Sequence, residues 1–212
     1  MGYVITIAQQ KGGSGKTTLA VNLAVHFSKL GQRVALLDTD PQGSLGRWFL
    51  ARRALMGDPG MDLSTASAWG VSYECEKLRK INDIVIIDTP PKADADLRPA
   101  LREADIVLIP VASSHVDLWA TDGVLDLVSR ENRRALIVLN RVKSGTRLAE
   151  NVAQAATALA HVAQGRLGQR VVFAETLGNG QGAAEAGKSQ ATQEVTALAE
   201  EIHALLQGAV GP

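Results

Sequence analysis

The amino-acid sequence predicts an α/β fold, a doubly wound and mostly parallel sheet flanked by helices. Three observations carry that expectation. Short apolar runs rich in β-branched residues alternate with longer segments of helical period, the pattern of successive βαβ units. The runs IVIID and IVLIP are apolar on both faces, as central strands covered from each side must be. The run at the N-terminus leads straight into a glycine-rich turn that opens a helix.

Taken in order, YVITIA at 3–8 reads as the first strand, and 16–30 carries apolar residues at helical spacing until Gly31 supplies a helix stop. Further strands are expected at 33–38, 84–88, 106–111, 135–140 and 170–174, with a weaker one at 61–66. Helical period recurs at 97–104, 115–130, 147–163 and 192–207. Residues 208–212 read as a frayed tail, and no internal repeat divides the chain.

A length of 212 residues suits one domain over 1–212, and 46% hydrophobic against 21% charged residues is too apolar for a disordered protein. No apolar run approaches the roughly 18 residues of a membrane span, and the start lacks a basic region with a cleavage site, so a cytoplasmic protein is expected. The single cysteine, Cys75, rules out an intrachain disulfide or a cysteine-rich cluster and reads as a small half-buried residue on a helix. His26, His115, His161 and His203 lack paired ligand spacing, while Trp48, Trp69 and Trp119 are expected in core or interface packing.

Charge is balanced over the whole chain, with 22 basic and 22 acidic residues, but not locally. Between Arg130 and Arg170 eight basic residues face two acids, a local excess of six. From Val171 onward only Lys188 opposes Glu175, Glu185, Glu194, Glu200 and Glu201.

The chemistry concentrates in QQKGGSGKTT, residues 9–18. Gly12, Gly13 and Gly15 let the backbone curl so that successive N–H groups, with those of Ser14 and Thr18, point at a phosphate near the positive end of the next helix. Lys16 is placed to reach the β- and γ-phosphates, and Thr17 to offer its hydroxyl to Mg2+, a hard cation that takes oxygen ligands. The strict phosphate-loop pattern wants glycine where this chain has Gln10.

With Lys11 opening the loop, the segment resembles KGGxxGK(S/T), the deviant Walker A motif of the ParA/MinD family of ATPases. DTDPQGSL, containing Asp40, matches that family's switch segment, and IVIIDTPP ends in Asp88 as its Walker B strand does. IPVASSHVD, the LNR at 139–141 and ETLGNGQGAAEAG extend the likeness less sharply. The shortness of the chain resembles the compact ParA type without an N-terminal DNA-reading domain. The resemblance implies a P-loop NTPase fold, with ATP and Mg2+ as cofactors. It implies that Lys11 reaches across a nucleotide-sandwich homodimer to the partner's phosphates while Lys16 serves its own. Asp40 is expected to position the attacking water and to share the metal shell with Thr17 and Asp88. An ionised carboxylate accepts that hydrogen bond yet is a weak base, so turnover should be slow. Asp38 stands between capping the turn after its strand and joining the metal shell. Asn140 and Arg141 are implied as adenine contacts.

An ATP-dependent dimer of this kind can partition or position a cargo, held on nonspecific DNA and released when an activator protein stimulates hydrolysis. The local basic excess favours that reading, with Arg141, Lys143, Arg147, Arg166 and Arg170 as candidate phosphate contacts on the nucleoid. The alternative is a MinD-like membrane switch, which needs a basic amphipathic C-terminal helix. Here 192–207 contributes glutamates and no lysine or arginine, so no stable membrane association is expected. One cysteine cannot furnish the paired thiolates of an iron–sulfur carrier, and a small-molecule ligase has no argued substrate residues.

Overall fold

The computed structural model describes residues 1–91, 97–112 and 114–208. Strands Tyr3–Ile7 (β1), Val34–Asp38 (β2), Asp62–Thr65 (β3), Ile84–Asp88 (β4), Ile106–Ala112 (β5) and Ala135–Asn140 (β6) form one six-stranded parallel sheet, ordered β3-β2-β4-β1-β5-β6. Successive strand residues point to opposite faces, so Ile5, Leu36, Ile86 and Leu108 enter one core while Val4, Leu37, Val85 and Val107 enter the layer on the other side. Helices α1 (Lys16–Lys29), α2 (Ser44–Met56), α8 (Val171–Gly178) and α9 (Gln190–Leu206) close the first face around Phe27, Trp48, Phe173 and Ile202. The second face is covered by α3 (Gly70–Ile81), α4 (Arg98–Glu103), α5 (His115–Trp119), α6 (Asp122–Arg130) and α7 (Arg147–Thr157).

The chain leaves β1 toward β2 on one side and leaves β4 toward β5 on the other. Such a reversal opens a crevice above the carboxyl ends of the strands, where α/β sheets bind ligands. Register brings the chemistry there, because Asp88 pairs with Ile7 on one neighbour and with Asp38 on the other.

The expected strand at 170–174 is instead the start of α8. Phe173 and Thr176 are buried while Val171, Ala174 and Glu175 are exposed, a helical spacing that a short β-branched run does not reveal. The slot beside β6 is taken by the preceding chain, through bridges Ile137↔Val162 and Val142↔Gly168, which also stops α7 at Thr157 rather than 163. The expected helix 115–130 breaks into α5 and α6, where buried Thr121 turns its hydroxyl onto the Leu118 carbonyl at 2.6 Å. Helix α2 escaped the periodicity reading because one of its three buried residues is Arg52, between Leu45, Trp48 and the C-terminal turn.

Cys75 does lie on a helix but is fully buried, and burial pushes its thiol up to about 12, far from a reactive thiolate. Of the core and interface positions expected, Trp48 takes the core, while Trp69 and Trp119 lie outside it, 89% and 67% exposed in the single chain. Val195, Leu198 and Ile202 of α9 pack into the core shared with α1, so its apolar face is covered by the chain itself. Among the described residues no helix is long and apolar enough to cross a membrane. Of the expected tail, Gly208 is described and 209–212 lie outside the described residues.

Candidate functional site

The turn between β1 and α1 is shaped by glycine where nothing larger fits. Gly15 has φ +92°, and a Cβ there would sit 2.2 Å from Nδ2 of Asn140. That amide donates to the Ser14 carbonyl at 2.9 Å, so Asn140, at the end of β6, buttresses the turn from below. Its Oδ1 accepts the Arg141 N–H, which leaves one amide N–H of the side chain for a ligand. The N–H groups of Gly13, Gly15, Lys16 and Thr17 donate to no acceptor among the described residues. Unpartnered amides at a helix start form an anion seat.

Lys16 opens α1 with its ammonium folded back onto the Gln9 carbonyl at 3.1 Å. Burial lowers its pKa, while the charges of Asp88 and Asp40 act to raise it. A buried cation held by one carbonyl gains from an entering anion. Across the crevice the Thr17 hydroxyl donates to Oδ2 of Asp88 at 2.7 Å. The other oxygen of Asp88, Oδ1, is buried without a partner. Desolvation raises that carboxyl to about 7, opposed by the Thr17 hydrogen bond. A hydroxyl beside a buried, half-satisfied carboxylate is an all-oxygen donor pair that suits Mg2+, whose remaining ligands would come from phosphates and water.

Asp38 holds the turn after β2 through both carboxylate oxygens. Its Oδ1 accepts the Asp40 N–H and its Oδ2 the Gly46 N–H, both at 3.0 Å, tying β2 to the first turn of α2. Burial raises its pKa against those two bonds. Asp40 follows on the loop so formed, half-buried, with Oδ1 accepting the Gln42 N–H at 2.9 Å. Together with Lys16, Thr17, Thr18, Pro91, Arg141 and Leu177 it lines a cleft of about 270 Å³. Arg141 itself holds φ +53°, a conformation uncommon outside glycine, and it borders both this cleft and an adjoining hollow of about 410 Å³ that includes Lys143.

Lys11 lies at the mouth of the turn, and its ammonium pairs with Oδ1 of Asp117 on α5. Sequence reasoning missed Asp117; the available signal was the spacing of Ser114 and Asp117 after an apolar strand, which makes Ser114 an N-cap. Three of the eight basic residues at 130–170 are ion-paired among the described residues. Arg130 binds Asp126, Arg166 lies 3.5 Å from Glu150, and Arg170 binds Glu194 at 2.5 Å. Arg133 and Arg134 bind backbone carbonyls of Arg102 and Leu205. Arg141, Lys143 and Arg147 remain exposed on and beside the β6–α7 loop, without an ion pair among the described residues.

Maintenance of carboxysome distribution protein A of Halothiobacillus neapolitanus is 29% identical over 147 residues, 66% of this chain and 67% of that protein. Chromosome-partitioning ATPase Soj of Thermus thermophilus is 35% identical over 147 residues, 57% of this chain and 59% of that protein. The chain thus spans about three fifths to two thirds of these relatives' length. A plasmid partition protein of Borrelia burgdorferi bound to AMPPNP superposes with a TM-score of 0.79 at 21% identity, covering 96% of this chain and 99% of that one, a likeness of fold. The profile of the CobQ/CobB/MinD/ParA nucleotide binding domain matches residues 5–182, from β1 through the phosphate turn to the end of the β6 region and beyond α8. Since that span takes in most of the chain and every group around the cleft, the chain belongs to the CobQ/CobB/MinD/ParA nucleotide binding domain family.

Proposed function

We propose that this chain is an ATP-driven switch of the partition or positioning type. Two copies close over ATP, the closed dimer holds DNA without reading its sequence, and hydrolysis stimulated by a cargo-bound protein reopens it. The observation that carries this reading is the presence of two lysines on one phosphate turn in different settings. Lys16 is buried at the helix start, and Lys11 stands at the mouth with 40% of its side chain exposed.

In this reading the amides of Gly12 to Thr18 seat the phosphates and Lys16 neutralises the β- and γ-oxygens of its own nucleotide. Lys11 supplies the same charge to the partner's nucleotide, which makes hydrolysis conditional on dimerisation. Thr17 and Asp88, with Asp40 nearby, would hold Mg2+, which when bound offsets phosphate charge. Asp40 orients water and accepts its hydrogen bond; as a weak base it supports slow turnover. Arg141 and the remaining amide N–H of Asn140 serve the adenine side. Arg141, Lys143 and Arg147 form the DNA face, with Arg166 and Arg170 held back by their glutamates. The names of the carboxysome-distribution and chromosome-partitioning relatives support a cargo-moving role. The whole chain acts as one domain in the cytoplasm, on the nucleoid. A membrane seat is disfavoured because the apolar residues of α9 pack against α1.

The test is light scattering with and without ATP, paired with binding to random duplex DNA across a salt series. Dimerisation and DNA binding should appear together, only with ATP, and affinity should fall steeply with salt. The double variant Lys143→Glu/Arg147→Glu should dimerise normally yet bind DNA with a shallower salt slope. An ATP dimer that ignores DNA and sediments with anionic liposomes defeats the proposal.

A further inference from the structure

Lys11 does not project into the phosphate cleft. Its ammonium is bound by Oδ1 of Asp117, a residue 8% exposed. The carboxylate is oriented from its other side, since Oδ2 accepts the Ser114 hydroxyl while the Asp117 N–H donates to Ser114 Oγ at 3.1 Å. Ser114 caps α5, and α5 packs on β5 and α7, so Asp117 is the fixed member of the pair. Lys11, on a flexible four-carbon stem, is the mobile one. Among the described residues Asp117 has no second cation. When Lys11 leaves, a nearly buried carboxylate is left with one hydroxyl, and an ion pair broken on one side is unfavourable.

We infer that Asp117 is a lock in cis on Lys11. It competes for the ammonium with the triphosphate held by a second copy, and so sets the concentrations of ATP and protein at which the dimer closes. Asp117 is a positioning residue, acting through Lys11 without touching nucleotide. The inference rests on the dimer reading above and adds to it a threshold: closing one dimer opens two locks. A half-exposed ion pair holds its cation with a preference of about five-fold. Two opened pairs then multiply to about 25-fold in the dimer dissociation constant.

Two measurements test the lock separately from the dimer. The first is acylation of Lys11 in the nucleotide-free monomer by a water-soluble succinimidyl ester, followed by peptide mass spectrometry with exposed Lys188 as internal reference. Asp117→Asn, which keeps the shape and the Ser114 contact, should acylate Lys11 about five-fold faster and leave Lys188 unchanged. The second is the ATP-dependent dimer dissociation constant by light scattering. Asp117→Asn should tighten it by about 25-fold, while Asp117→Glu, which retains the charge, should stay within about two-fold of the parent. Equal Lys11 acylation in parent and Asn variant overturns the lock. Faster acylation with an unchanged or weaker dimer overturns its control of closure. If acylation accelerates but neither protein dimerises with ATP, the dimer reading fails and the threshold falls with it, although the ion pair stands. Should the Asn variant melt early, Asp117→Ser, a smaller side chain without charge, decides the matter: a dimer tighter than the parent's supports the lock, and one no tighter overturns it.

Discussion

Replacing Asp88 by asparagine should stabilise the nucleotide-free protein, and by more at neutral than at acid pH. The carboxyl is wholly buried, one oxygen lacks a partner, and its pKa is raised from an ordinary 3.8 to about 7, chiefly by desolvation. A carboxyl with a raised folded pKa favours the protonated form. Its destabilising effect is absent below the unfolded pKa, grows as pH rises, and is complete above the folded pKa. Linkage between those two pKa values gives a penalty of about 4 kcal/mol at pH 7.5 and about 1 kcal/mol at pH 4.5. The parent should therefore lose about 3 kcal/mol more than Asp88→Asn across that interval, every other titrating group being common to both. Urea denaturation of both proteins at the two pH values, without nucleotide or metal, reads the difference directly. The same variant should lose the Mg2+ dependence of nucleotide binding. A gap between parent and variant that stays constant within about 1 kcal/mol from pH 4.5 to 7.5 would falsify the assignment of Asp88 as a carboxylate buried for a ligand.

Lys16→Ala should weaken ATP binding on the order of 100-fold by calorimetry, because the loop amides then face the triphosphate charge without their buried cation. Lys11→Ala should bind ATP but show no ATP-dependent dimer in light scattering. Asp40→Ala should form that dimer and hold it, with phosphate release slowed on the order of 100-fold as water positioning is lost. Arg52 is buried, with its guanidinium bound to both oxygens of Glu185 at 2.8 Å and to the Gly180 carbonyl at 3.2 Å. Arg52→Ala leaves the Glu185 carboxylate without its cation, held only by the Gly182 N–H, and should lower stability by about 3–5 kcal/mol in a denaturant titration, with Glu185→Gln costing less than half as much.

The phosphate turn, the carboxylate at the end of β4 and the alternation of strands and helices were legible from the sequence, because each depends on residues adjacent in the chain. Glycine spacing sets the backbone of the turn locally, and a both-sided apolar run marks a central strand wherever it lies in the sheet. Length of pattern mattered: 16–30 carries four turns of period and was placed correctly, while the β-branched start of α8, only a few residues long, looked like a strand. Contacts that depend on sheet order stayed hidden. Nothing in the sequence around Asp38 shows that its carboxylate accepts the Gly46 amide eight residues on, a contact made by folding α2 back over the end of β2. The six-charge excess is a true count, yet Arg170 meets Glu194 only because α9 packs beside the end of β6, and that pairing removes it from the free basic face. Lys11 and Asp117 lie on opposite sides of a hundred residues and meet because β5 is laid next to β1. Motifs are written in consecutive residues and can be read there; partners and free charges are set by which strands become neighbours, and only the folded chain determines that.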